Sequence, residues 1–184
     1  MAGVYFSADE DAALVRQSLA GETAAFGLLV IRYQKVLFNV ALRMLGNAED
    51  ARDATQDAFV KAYERLSTFD PAYRFFSWIY RILVNECLNA IRSRRPQEPL
   101  TDTVAVAGGP FELVAEHERR RQVEAALQQL SAEYRAVIVL RHFVGQSYDE
   151  IATTLEIPVK TVKSRLYAAR QRLGEQLLGW REEE

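Results

Sequence analysis

The sequence predicts an all-α protein of two small helical modules joined by a flexible acidic linker. Apolar residues recur at offsets of three and four through most of the chain, the period of one helix face. No stretch alternates apolar with polar residues as a half-buried strand would. Three of the five prolines, Pro96, Pro99 and Pro110, gather beside Gly108 and Gly109, in a segment where no helix persists. The 184 residues suit one or two small domains. With 49% hydrophobic and 26% charged residues, the composition is that of a folded chain.

The elements follow in order. In the first module, residues 8–95, Phe26, Leu29, Val30, Tyr33, Leu37, Val40, Ala41 and Met44 form one helical face that stops at Gly46. Asn47 is an N-cap, with Glu49 and Asp50 in the favourable first turn. The helix it opens turns Ala51, Thr55, Ala58, Phe59, Ala62 and Leu66 inward. A turn at Asp70-Pro71 precedes a third helix, 75–94, expected to bury Phe76, Ile79, Leu83, Cys87 and Ile91. Residues 96–111 are the linker. In the second module, residues 112–180, one helix covers 112–129 and Ser131 is placed to cap the next, which ends at Gly145. Ser147 and Glu150 then form a capping box, followed by helices at 148–155 and 159–178.

Net charge is −2, which taken alone argues against nucleic-acid binding. The distribution says otherwise. Residues 73–95 hold five Lys/Arg and one acid, and residues 119–181 hold eleven and six. Between them, residues 96–118 hold five acids and no base. The single cysteine, Cys87, excludes an internal disulfide, and without a nearby His or second Cys no metal site is expected. The N-terminus lacks the pattern of a signal peptide, and no run approaches the ~18 apolar residues of a membrane span. The expected setting is therefore the cytoplasm, without a membrane. His117 is expected to be solvated and His142 structural. No phosphate loop or nucleophile arrangement appears, so no catalytic residue and no cofactor is expected.

Three constellations carry chemistry. The last helix pair has the apolar lattice of a helix-turn-helix: Ile151, Ala152, Leu155, Ile157, Val162 and Leu166, with Pro158 near the first turn of the second helix. From Pro158 to Leu173 there are five cations, Lys160, Lys163, Arg165, Arg170 and Arg172, and no acid. Such a helix docks in a major groove, its N-terminal side chains on bases and its flanking cations on phosphates. Val162, Leu166, Ala169 and Leu173 should face the core and turn Lys160, Lys163, Ser164 and Tyr167 outward. On helix 75–94, Trp78, Arg81, Asn85, Asn89 and Arg92 share a face expected to lie away from the core, with Tyr80 beside it. Aromatic rings stack on unpaired bases and Arg meets phosphate, so this face suits single-stranded DNA. Packed aromatics are the plainer alternative. Asp50, Asp53 and Asp57, with Gln56, form an acidic stripe. No His accompanies it, so a solvated face or a docking surface for a basic partner is expected rather than catalysis.

AEDARDATQDAFVKAYERLSTF, FFSWIYRILVNECLNAIRSRR and LSAEYRAVIVLRHFVGQSYDEIATTLEIPVKTVKSRLYAAR together resemble the extracytoplasmic-function (ECF) group of bacterial sigma factors. The first two are similar to that family's region-two module and the third to its region-four module. The resemblance runs from about residue 10 to 178. It implies a non-enzymatic subunit that binds core RNA polymerase and directs promoter-specific transcription. It implies that Asp53, Gln56 and Asp57 dock on the clamp helices of the polymerase largest subunit, with Asp50 on the same stripe. It implies that the turn Asp70–Arg74 captures a flipped base of the minus-ten element, and that Lys61, Trp78, Tyr80 and Asn85, flanked by Arg81, meet the melted strand. Lys163, Ser164 and Tyr167 match minus-thirty-five contacts on duplex DNA. Members of the group are often held by an anti-sigma factor. The chain departs from the pattern at Ala168, where many members carry Arg, and at Lys160 and Glu156, where Gly is common. A stand-alone helix-turn-helix regulator is the alternative, but it leaves the acidic stripe and the Trp78 face without a role.

Overall fold

The computed structural model describes residues 8–93 and 112–182. The expected linker, 96–111, and the side chain of His117 lie outside the described residues. Among the described residues eight α-helices succeed one another: α1 Ala8–Leu19, α2 Thr23–Leu45, α3 Ala48–Glu64, α4 Phe75–Ser93, α5 Glu112–Gln129, α6 Ala132–Ile138, α7 Tyr148–Leu155 and α8 Val159–Glu182. There is no strand among the described residues.

α2 is the spine of the first module, and α1, α3 and α4 pack on it. Its inward face, Leu29, Tyr33, Leu37, Ala41 and Met44, is fully buried. By length and composition α2 could cross a membrane, contrary to the sequence expectation. Here it is a core helix, tied to α1 by a polar cluster. Asp11 is buried, accepts a hydrogen bond from the Tyr33 hydroxyl, and pairs with Arg32 at 2.6 Å. Gly46 ends α2 at φ +72°, and the Asn47 side chain caps α3 by accepting from the Glu49 and Asp50 amides at 2.8 and 3.0 Å.

In the second module α6 and α7 both pack on α8. Ser131 stands at the N-cap of α6 but makes no side-chain cap bond, unlike the sequence expectation. α6 also does not run regularly to Gly145: its last stretch, Val139–Val144, is π-helical. Gly145 then takes φ +84°. The capping box is present, with the Ser147 amide donating to Glu150 Oε2 at 2.7 Å and the Glu150 amide donating to Ser147 Oγ at 3.2 Å.

One apolar cluster runs through both modules, from Val15 to Ala169. The seam has a polar end at the C-terminus of α2, whose last carbonyls lack partners within the helix. Donors from the second module satisfy them: Gln128 Nε2 donates to the Arg43 carbonyl at 2.9 Å, and Arg135 donates to the Met44 carbonyl. Arg43 in turn lies 4.3 Å above the Phe143 ring. Gly46 permits this approach, because a Cβ there would meet Gln128 at 2.7 Å.

Candidate nucleic-acid interface

The helix-turn-helix is built as its lattice requires. Ile151, Val162, Leu166 and Ala169 are buried between α7 and α8, and Leu173 is half-buried. Thr154 is buried as well, its hydroxyl donating to Gln146 Oε1 at 3.2 Å. The turn passes through Glu156 at φ 54°, the left-handed conformation that glycine takes freely and a side-chain-bearing residue resists. The sequence departure at this position is thus a backbone feature. Lys160, Lys163, Ser164, Tyr167, Arg170 and Arg172 are exposed, Tyr167 at 68%, and Arg165 is half-buried. Ser164 Oγ donates to the Thr161 carbonyl at 3.0 Å, leaving its lone pairs outward.

Two of these cations have partners the sequence did not announce. Arg172 lies 4.4 Å above the Tyr134 ring and so helps hold α8 to α6. Arg170 Nη2 lies 3.4 Å from His142 Nε2. His142 is therefore exposed on the candidate DNA side rather than buried as a structural residue. Partial burial, then Arg170 and Arg141, lower its pKa from 6.5. A neutral imidazole accepts from the guanidinium; a protonated one would add a third cation.

On α4 the expected outward face divides. Arg81 is half-exposed, and Asn85, Asn89 and Arg92 are exposed. Trp78 is only 9% exposed and Tyr80 is fully buried, so the expectation that Trp78 lies away from the core is corrected. Their size explains it. Trp78 packs against Phe69 and Phe75 with ring centroids 5.5 and 5.7 Å away, and Tyr80 lies 4.5 Å from Phe76. The inward residue at the helix start is Phe75, with Phe76 and Ile91 only half-buried. Burial raises the Tyr80 phenol well above its ordinary pKa.

Trp78 nevertheless has one edge on a pocket of about 220 Å³, walled also by Phe69, Asp70, Tyr73, Arg81 and, from α7, Thr153. Asp70 Oδ1 accepts from the Ala72 amide at 2.9 Å, which shapes the turn, and Arg74 is exposed at its end. Tyr73, 59% exposed, is a wall residue not singled out from the sequence; its place inside the Asp70–Arg74 turn was the available signal. Lys61 faces Glu86 at 2.5 Å, so its charge is paired here. Arg81 pairs with Glu156 at 3.1 Å.

On α3, Asp53, Gln56 and Asp57 are exposed and Asp50 is half-buried. Beside them an apolar groove of about 510 Å³ runs between α2 and α3, lined by Val30, Phe38, Phe59 and Val60 and rimmed by Lys35, Arg52 and Gln56. The sequence did not reveal the groove, because Val60 reads as a surface residue of α3 until α2 is set beside it. Among the described residues no cluster of His, Cys, Asp and Glu could hold a metal ion.

Comparison with known proteins adds the family. Residues 29–97 match Sigma-70 region 2, and residues 120–173 match Sigma-70, region 4. The chain is 35% identical to RNA polymerase sigma-H factor of Pseudomonas aeruginosa, across 92% of this chain and 94% of that protein. It is 34% identical to ECF RNA polymerase sigma factor SigW of Bacillus subtilis, across 89% and 94%. Among solved structures, CnrH in complex with the cytosolic domain of CnrY is similar at a TM-score of 0.72 and 33% identity, across 92% of this chain and 98% of that one. The sigma factor RpoE of Bartonella quintana, in complex with the anti-sigma factor NepR, is similar at 0.67 and 27%, across 83% and 96%. A recognition helix with no acid up to Leu173 and a basic aromatic helix, carried on region-four and region-two modules in that order, make this chain a member of the ECF sigma factors, an alternative sigma factor that directs promoter-specific transcription.

Proposed function

We propose that three surfaces divide the work of this sigma factor. α8 reads the minus-thirty-five element, with Lys160, Lys163, Ser164 and Tyr167 toward the bases and Arg165, Arg170 and Arg172 toward the phosphates. The pocket between the Asp70–Arg74 turn and α4 takes a base of the melted minus-ten strand. Arg81 and Asn85 meet that strand directly, Trp78 through its exposed edge, and Lys61 once released from Glu86. Tyr80, being buried, holds the face in place. The stripe Asp50, Asp53, Gln56 and Asp57, with the adjoining apolar groove, docks on the clamp helices of core RNA polymerase. The polymerase supplies the chemistry, and the chain acts as a non-enzymatic subunit in the cytoplasm. The module boundaries follow the helices, with residues 8–95 as region two, 112–180 as region four and 96–111 as the linker.

The observation that carries this reading is the exposed face of α8, which bears seven outward polar or aromatic side chains and no acid from Pro158 to Leu173. An anti-sigma partner is supported by the two solved relatives, one of which is named as a complex with an anti-sigma factor. The test is transcription in vitro with core polymerase and a promoter library. Promoter-dependent transcripts are expected with the wild-type chain. Asp53→Lys with Asp57→Lys should lose core binding while keeping its helicity. Transcription that does not depend on the added chain, or undiminished core affinity of the double variant, would overturn the assignment.

A further inference from the structure

The second module lies across the strand-contact face of the first. Thr153 of α7 completes the wall of the pocket formed by Asp70, Tyr73, Trp78 and Arg81. Three residues on, Glu156 reaches Arg81 itself at 3.1 Å. A carboxylate on a guanidinium occupies the place a phosphate would take, since both anions accept from the same fork of N–H groups. Glu156 does this from a left-handed backbone, and it is the one non-glycine residue with positive φ among those described. Costly backbone conformations persist where the surroundings hold them in place. At the other end of the seam, Gln128 and Arg135 cap the last carbonyls of α2. The module is thus fastened at two points, with the pocket beneath it.

This arrangement cannot serve both promoter elements at once. Sites about 25 base pairs apart on duplex DNA lie roughly 85 Å apart, at ~3.4 Å per base pair. A compact chain of this size has a radius of gyration of roughly 16 Å. The modules must separate to act.

We propose that region four is an intramolecular lid on the minus-ten pocket, and that Glu156 is its latch. In the free chain Glu156 holds Arg81 in place of a strand phosphate while α7 covers the pocket. Docking on polymerase draws the modules apart and frees Arg81 for DNA. The proposal rests on the strand-contact reading given above.

The test uses the full chain without polymerase and a fluorescent single-stranded oligonucleotide of ~12 nucleotides and randomised sequence, read by anisotropy at low salt. A second readout is energy transfer between dyes on Glu49→Cys and Gln171→Cys, both exposed positions; the buried Cys87 stays unlabelled. Glu156→Gln keeps the shape and removes the charge. It should bind the oligonucleotide about threefold more tightly than wild type, the scale of one exposed ion pair. Glu175→Gln, which removes the same charge from the exposed outer side of α8, should not. Gln128→Ala, which undoes the far end of the seam, should also raise affinity and lower the energy transfer. In an Arg81→Ala background the gain from Glu156→Gln should vanish. Equal affinity of wild type and Glu156→Gln, or a gain that survives Arg81→Ala, overturns the latch alone. Absence of binding by every chain, even where energy transfer reports opening, overturns the strand-contact reading and the lid with it.

Discussion

Arg135→Met is expected to lower the unfolding free energy by about 3 kcal/mol. Arg135 is buried, and its guanidinium donates four times. The acceptors are the Met44 carbonyl across the seam, Gln128 Oε1 at 2.5 Å, the Gln128 carbonyl at 2.6 Å and the Leu130 carbonyl at 3.0 Å. Methionine fills much of the stem volume and donates nothing. Bonds from a charged donor contribute ~1.5–3 kcal/mol each, so a plain sum exceeds what single substitutions usually cost. Two effects reduce it: the guanidinium no longer has to be desolvated, and water reaches acceptors at the edge of the seam. About 3 kcal/mol remains. With a urea dependence of ~2 kcal/mol per molar, the midpoint falls by about 1.5 M. The assay is urea unfolding followed by far-ultraviolet circular dichroism. Arg135→Lys keeps the charge but cannot fork to four acceptors, and should recover less than half of the loss. A midpoint within ~0.5 M of wild type would refute the reasoning, because it would mean that the seam does not depend on this fork.

Further outcomes are expected elsewhere. Glu156→Gly should raise the melting temperature by about 2–4 °C in ~0.5 M salt, where the exposed pair with Arg81 is screened and relief of the left-handed backbone dominates; a lower melting temperature there would contradict the strain. Burial pushes the Cys87 thiol from 9.0 up to about 12. Between those values the unfolded thiol is ionised and the folded one is not, so stability is complete below pH 9 and declines as pH rises toward 12. Tyr33 and Tyr80, also raised, steepen the decline above pH 10. Urea midpoints across this range should fall, with a shallower first part in Cys87→Ala; a flat profile would rule the linkage out. Lys163→Ala should cost about 1–3 kcal/mol and relax preference at one base position of a promoter library. Arg172→Ala should weaken all sequences alike, lower the salt slope by ~1 unit, and reduce stability through lost stacking on Tyr134. A uniform loss for Lys163→Ala would make it a backbone contact.

Most of the fold was legible because local signals agreed. Gly46, Asn47, Gly145 and the Ser147–Glu150 box each end or begin a helix where the sequence placed the break. α1 is not legible as an element, because its apolar face is short and one of its anchors is the buried carboxylate Asp11. By spacing alone Trp78 reads as outward, because the Arg81, Asn85, Arg92 stripe is polar and Trp78 lies on its helical extension. The aromatic cluster of Phe69 and Phe75 draws the ring in, since large apolar area outweighs a stripe defined by spacing. His142 and the π-helical stretch around it were illegible for a similar reason: nothing local to that helix signals Arg170 from another one.

Helical periodicity, caps and charge blocks, all short-range properties of the chain, were enough to determine two all-α modules and the outward face of α8. The pairing of Glu156 with Arg81 joins residues 75 positions apart, and that of Arg135 with Met44 joins residues 91 apart. No local preference encodes such contacts. They exist because the second module has an apolar face to bury and α2 ends in carbonyls that need donors, and only the packing of one module on the other brings the two demands together over the pocket.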